Sequence, residues 1–136
     1  MKLVLDTSVV VAGFRSPRGL SARTILACRR REHSMVVSAP LVFEYEAVLS
    51  RPEHLDAAGA SLEDVGRFLD AICGFSDWSQ PTWLWRPQLR DPGDEMVLEA
   101  AFSGQATIVT FNVRDFVLAS RFGVAVVTPR QLWQEK

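Results

Sequence analysis

The chain's 136 residues, 48% hydrophobic and 23% charged, suit one globular domain over residues 1–136. A mean hydropathy of +0.07, with no apolar run longer than Val9-Val10-Val11-Ala12, excludes a membrane-spanning helix, which needs about 20 apolar residues. The formal net charge of −1 hides a split: residues 1–31 carry seven cations against Asp6 alone, and residues 41–104 carry twelve acids against Arg51, Arg67, Arg86 and Arg90. That pattern fits either two opposed solvated faces or a phosphate-attracting rim beside an acidic pocket.

In chain order, residues 2 to 5 alternate into a first strand that stops at Asp6-Thr7-Ser8. The stretch from Gly13 to Gly19, with Pro17, reads as a loop. Ser21 is placed to cap a helix that ends in the basic run Arg29 to Arg31. Residues 35 to 37 form a short strand. Pro40 then opens a helix on which Leu41, Val42, Tyr45, Val48 and Leu49 keep helical spacing up to Arg51-Pro52. Ser61-Leu62-Glu63-Asp64 opens a further helix to about Cys73, and Trp83-Leu84-Trp85 is strand-like. Asp91-Pro92-Gly93-Asp94 starts a helix through Phe102 that Gly104 ends. A buried-type strand over 107 to 110, a short helix over 112 to 118 and a last strand over 124 to 127 complete the chain. Alternating strands and helices imply an α/β fold with a central parallel sheet flanked by helices.

In such sheets ligands bind beyond the carboxyl ends of the strands. Asp6 ends the first strand there, Asp94 opens a helix, Glu44 lies on the helix after the second strand, and Thr110, Asn112 and Asp115 follow the strand over 107 to 110. Carboxylates that converge without lysine or histidine repel one another, and a divalent cation is the economical remedy. An all-oxygen donor set points to Mg²⁺ or Mn²⁺ rather than zinc. Structural roles compete: Asp6 suits a turn, Asp91 and Asp94 suit the cap and third position around Pro92, and Asp115 suits a first-turn acid. Glu44 and Glu46 flank Tyr45 by about 100° on either side, so periodicity does not choose between them. Cys28 and Cys73 stand far apart in no paired motif, which favours a reducing cytoplasm over a zinc site or a disulfide framework.

The segments Leu5-Asp6-Thr7-Ser8-Val9, Leu41-Val42-Phe43-Glu44-Tyr45, Asp91-Pro92-Gly93-Asp94 and Thr110-Phe111-Asn112-Val113-Arg114-Asp115-Phe116 resemble PIN-domain proteins, nearly end to end and in order, as do the closing Val127-Thr128-Pro129 and Leu132. The likeness is nearest to the VapC-like toxins of bacterial toxin–antitoxin pairs. What the resemblance implies is a Mg²⁺- or Mn²⁺-dependent endoribonuclease leaving a 3′-hydroxyl and a 5′-phosphate. Asp6, Glu44 and Asp94 match its first three acids, preferring Glu44 to Glu46, and Asp115 is expected as the fourth. Asp91, Thr7, Ser8 and Thr110 would support the site. Many relatives carry aspartate where this chain has Asn112, which brings no charge and would orient water or substrate. Arg15, Arg18 and Arg114 are candidates for holding the backbone, and nothing in the sequence picks among them.

The resemblance also implies an RNA substrate, a homodimer and a small antitoxin protein as partner. Trp78, Trp83, Trp85 and Trp133 suit either the core or an interface. The alternative is a catalytically weak or inactive PIN-fold module that binds RNA or protein. A haloacid-type phosphatase would need an aspartate at position 8, and a dinucleotide-binding enzyme a glycine-rich turn after the first strand; Ser8 and Thr7-Ser8-Val9-Val10 supply neither.

Overall fold

The computed structural model describes residues 1–80, 89 and 91–134. Five parallel strands lie in the order β3-β2-β1-β4-β5: β1 (Lys2–Leu5), β2 (Ser34–Val37), β3 (Asp77–Trp78), β4 (Thr107–Val109) and β5 (Val126–Val127). Helices α1 (Thr7–Arg15), α2 (Leu20–Arg29), α3 (Ala39–Leu49), α4 (Pro52–Ala58), α5 (Leu62–Phe75), α6 (Pro92–Gly104) and α7 (Pro129–Gln134) accompany them, with a 3-10 helix over Val113–Phe122.

β1 is the middle strand. It pairs Lys2 with Ser34 on one side and Leu5 with Val109 on the other. Leu3, Val4 and Leu5 are fully buried, as a parallel strand covered on both faces requires. Buried side chains from α1, α3, α5 and α6, among them Val9, Val10, Leu41, Tyr45, Ile72, Val97 and Leu98, close over the sheet. The Tyr45 hydroxyl donates to the Leu5 carbonyl and ties the middle of α3 to the last residue of β1. No helix among the described residues is long and apolar enough to cross a membrane.

The expected α/β architecture with a central parallel sheet is the one observed. Local differences have identifiable causes. Gly13 lies inside α1 rather than in a loop: a Cβ there would come within 2.5 Å of Ile25 Cδ1, so this glycine permits close approach of α2. Ser21 is buried within α2, and Gly19 occupies the cap position. Pro52, read as a stop, is the first residue of α4, where its missing N–H costs nothing. The third strand of the sheet is Asp77–Trp78; the strand expected at 83 to 85 lies outside the described residues. The helix at Ser61 starts as expected, with a reciprocal capping box between Ser61 and Asp64. Trp78 is exposed, whereas Trp133 packs against the core, donates to Thr24 Oγ1 at 3.0 Å and carries Arg23 over its ring.

Candidate active site

The order of the sheet explains where polar groups collect. The chain leaves β1 toward β2 on one side, and β4 later docks on the other, so the carboxyl end of β1 faces a topological switch point. Asp6 is the residue at that end. Its backbone N–H donates to the Val109 carbonyl at 2.9 Å, continuing the β1–β4 ladder, and its carbonyl accepts the first bonds of α1 from Val9 and Val10. The side chain is 5% exposed. Its Oδ2 accepts from Thr110 Oγ1 at 2.6 Å and from Ser8 Oγ at 3.0 Å. Burial raises the Asp6 pKa, and the two hydroxyls pull the other way.

Thr110 follows β4 and is fully buried. Its hydroxyl also accepts the Asn112 backbone N–H at 2.9 Å, so one threonine fixes both the Asp6 carboxylate and the turn into the 3-10 helix. Asn112 is the cap residue of that helix, exposed and without a side-chain cap bond. Asp115 lies one turn on and is exposed. Thr7 opens α1 beside Asp6.

At α6, Asp91 is the cap, its Oδ1 accepting from Gly93 N–H at 2.8 Å, and Asp94 is the third helical residue. Both capping positions are therefore as the sequence suggests. Of the two glutamates on α3, Glu44 faces the start of α6: a Cβ on Gly93 would lie 2.8 Å from Glu44 Oε2, whereas Glu46 is exposed. Glycine at this point leaves room for a carboxylate against the first turn of α6.

The electrostatics link the acids. The Asp94 pKa is pushed up to about 7, first by burial and then by the negative potentials of Asp6, Asp91, Asp115 and Glu44. Among the described residues none of these five carboxylates forms an ion pair. They share a field without forming a ready-made cage: no three His, Cys, Asp or Glu side chains among the described residues are gathered closely enough to hold a metal ion. The two observations are compatible, because repulsion acts over many ångströms while Mg²⁺ ligands stand about 2 Å from the ion. The donor chemistry suits a hard divalent cation, all the acids being oxygen donors in one negative field.

Some features leave no trace in the pattern of residues. Tyr45 looked like the centre of an apolar stripe, yet its hydroxyl secures the strand end that carries Asp6. Glu95 and Glu99, 3% exposed, lie inside α6's buried face, with Glu95 Oε1 accepting from Leu89 N–H at 2.6 Å. Arg15 lines a cavity next to Thr7 and Ser8, while Arg18 and Arg114 are exposed.

The model of one protein family, the PIN domain, matches residues 2–114. No curated protein sequence matches the chain significantly. Among solved structures, the fold is similar to a chain in the crystal structure of VapBC2 from Rickettsia felis bound to a DNA fragment from their promoter. That match has a TM-score of 0.64 at 14% identity and covers 94% of this chain and 98% of the other. A domain of a functionally unknown protein from Methanocaldococcus jannaschii is less similar, with a TM-score of 0.49 at 17% identity, covering 92% and 88%. With the family model spanning most of the sequence and the expected parallel sheet observed, this chain belongs to the PIN-domain family.

Proposed function

We propose that residues 1–136 form one PIN domain that acts as a Mg²⁺- or Mn²⁺-dependent endoribonuclease, the toxin of a cytoplasmic toxin–antitoxin pair. The observation that carries this reading is the buried Asp6 carboxylate at the carboxyl end of the middle strand, held by the hydroxyls of Thr110 and Ser8. The negative potentials that Asp6, Asp91, Asp115 and Glu44 exert on the partly buried Asp94 suit a divalent cation. Family membership and the likeness of fold to the VapBC2 structure support it.

In this reading Asp6, Asp94, Asp115 and Glu44 hold the ion, and Glu44, whose carboxylate lies close against Gly93, also orients the attacking water. Thr110 and Ser8 keep the Asp6 carboxylate aimed; Asp91 fixes the start of α6; Thr7 lines the approach; Asn112 hydrogen-bonds water or substrate. A bound Mg²⁺ or Mn²⁺ supplies an activated water and charge neutralisation at the phosphate. Cleavage then leaves a 3′-hydroxyl and a 5′-phosphate. A homodimer and a small antitoxin protein complete the reading.

The uncharged Asn112 and the absence of a gathered ligand trio among the described residues favour a second reading, a catalytically weak or inactive RNA- or protein-binding module. One experiment separates them: purified protein is incubated with a mixed structured and unstructured RNA pool in Mg²⁺, Mn²⁺ or EDTA, beside the Asp94→Asn variant. The nuclease requires cleavage that depends on metal and is lost in the variant. Intact RNA throughout, with no calorimetric metal binding, leaves the module.

A further inference from the structure

The residues that follow β4 do not run as one continuous helix. Within the 3-10 segment only Val113, Arg114 and Asp115 precede a break at Phe116, whose φ of −114° and ψ of 22° are not helical. Asn112, on the other side of this short turn, is not helical either, with φ −114° and ψ 64°. The turn between them is closed by the Asp115 N–H, which donates to the Asn112 carbonyl at 3.0 Å. Both flanks are held firmly. Thr110 is fully buried and bonded to Asp6 and to the Asn112 N–H, and the Phe116 side chain lies in the core, 1% exposed. All of residues 111–115 between them are exposed. A short turn between two irregular residues, with little packing of its own and fixed ends, has the form of a hinged element.

The charges supply a force to move it. The Asp115 carboxylate forms no ion pair among the described residues. Its negative potential reaches Asp6 and Asp94, adding to the effect of burial on both, and like charges push the turn outward. A dication between Asp6 and Asp94 reverses the sign of that force. Among the described residues the acids do not gather closely enough to hold an ion, so completing the set needs a part that moves. Of the elements that carry an acid, the turn with Asp115 is the one with an irregular residue at each end. We infer that residues 112–115 form a hinged strap, which swings toward Asp6 and Asp94 by rotation at Asn112 and Phe116 when a divalent cation occupies the site, and which sets the Asp115 carboxylate on the ion or on a water of its shell. The Phe116 ring and Thr110 stay seated throughout. The inference rests on the metal-dependent reading of the acids and adds a moving part to it.

The test needs no substrate. Amide hydrogen exchange of the full chain is followed by mass spectrometry in EDTA, in Mg²⁺ and in Mn²⁺, for wild type and Asp115→Asn. Calorimetric titration measures the affinity of each protein for each ion, and thermal melts show that the variant is folded. Peptides covering residues 111–116 should exchange several-fold more slowly with the ion bound to wild type, while peptides within β1 and β4, already buried, should not change. Asp115→Asn should bind the ion about tenfold more weakly or worse, and its residues 111–116 should exchange at the metal-free rate even when the ion is saturating. Two results overturn the strap while leaving the metal site intact: wild type that binds the ion with unchanged exchange over 111–116, or Asp115→Asn slowed there as much as wild type. A wild type that takes up neither ion by calorimetry overturns the metal-dependent reading itself, and the strap with it.

Discussion

Gly93 shows how much one hydrogen atom decides at this site. A methyl group there would stand 2.8 Å from Glu44 Oε2 and 3.3 Å from Asp91 Oδ1, and the yielding atoms are the tips of flexible side chains. Gly93→Ala should therefore cost little stability, within about 1 kcal/mol once alanine's better helix propensity is counted. Cleavage should fall at least tenfold because Glu44 is displaced. Paired melting and cleavage assays check this, and a variant with wild-type activity would remove Glu44 from the reaction. Asp94 carries a pH dependence of definite sign. Its carboxyl titrates at about 7 in the folded chain against 3.8 normally, so between those values the folded state binds more protons than the unfolded one. The metal-free protein must then lose stability as pH rises through that window. Asp94 is partly solvated, so the loss is about 1–2 kcal/mol rather than the full value of the shift. Asp6, also raised, acts in the same direction. Melts from pH 5 to 8 in EDTA should decline for wild type and decline less for Asp94→Asn. The positions of Asp6 and Asp94 at a strand end and a helix start were legible in the sequence. Glu44 was legible only through the family resemblance: that it faces Gly93 depends on α3 lying against the first turn of α6, which no periodicity within α3 contains.

At the scale of elements, the contact between α3 and β1 does for the site what a second covalent link would do. Tyr45 is fully buried, its pKa pushed well up by burial and then by Asp6 and Cys28, so its hydroxyl keeps its proton and donates to Leu5. Tyr45→Phe should cost about 1–2 kcal/mol, because the buried Leu5 carbonyl loses a partner. It should also lower cleavage through the position of Asp6, with the loss appearing in kcat. A stability loss with unchanged turnover would make the phenol purely structural. The central strand and two helix starts were readable because their signals are local: the apolar run of β1, the Ser61–Asp64 box and the Asp91-Pro92 start; the strand at Asp77–Trp78 and the cap at Gly19 were not. Gly13 misled because a glycine that lets two helices touch looks the same in sequence as one that ends a helix. α4 was hidden by Pro52, which marks beginnings as well as ends.

Across the whole molecule, negative charge and topology converge on the carboxyl end of the middle strand. Any cation that binds the folded acids and not the unfolded chain must stabilise the fold, by about 2.7 kcal/mol when present at a hundred times its dissociation constant. Titrating Mg²⁺ or Mn²⁺ should therefore raise the melting temperature, more at pH 8 than at pH 6, since protons compete for Asp94. Asp94→Asn should blunt the rise. A melting temperature indifferent to either ion at both pH values would count against the metal site.

The bond between Thr110 and Asp6 spans 104 positions of the chain, and β4 reaches β1 only after the helices between them have been made. During synthesis Asp6, Glu44 and Asp94 all emerge before the strand that completes the edge of β1 and supplies that hydroxyl. A nascent chain halted before residue 107 thus carries Asp6, Glu44 and Asp94 in an unfinished frame. The proposed nuclease would therefore gain its complete site only once β4 has docked on β1.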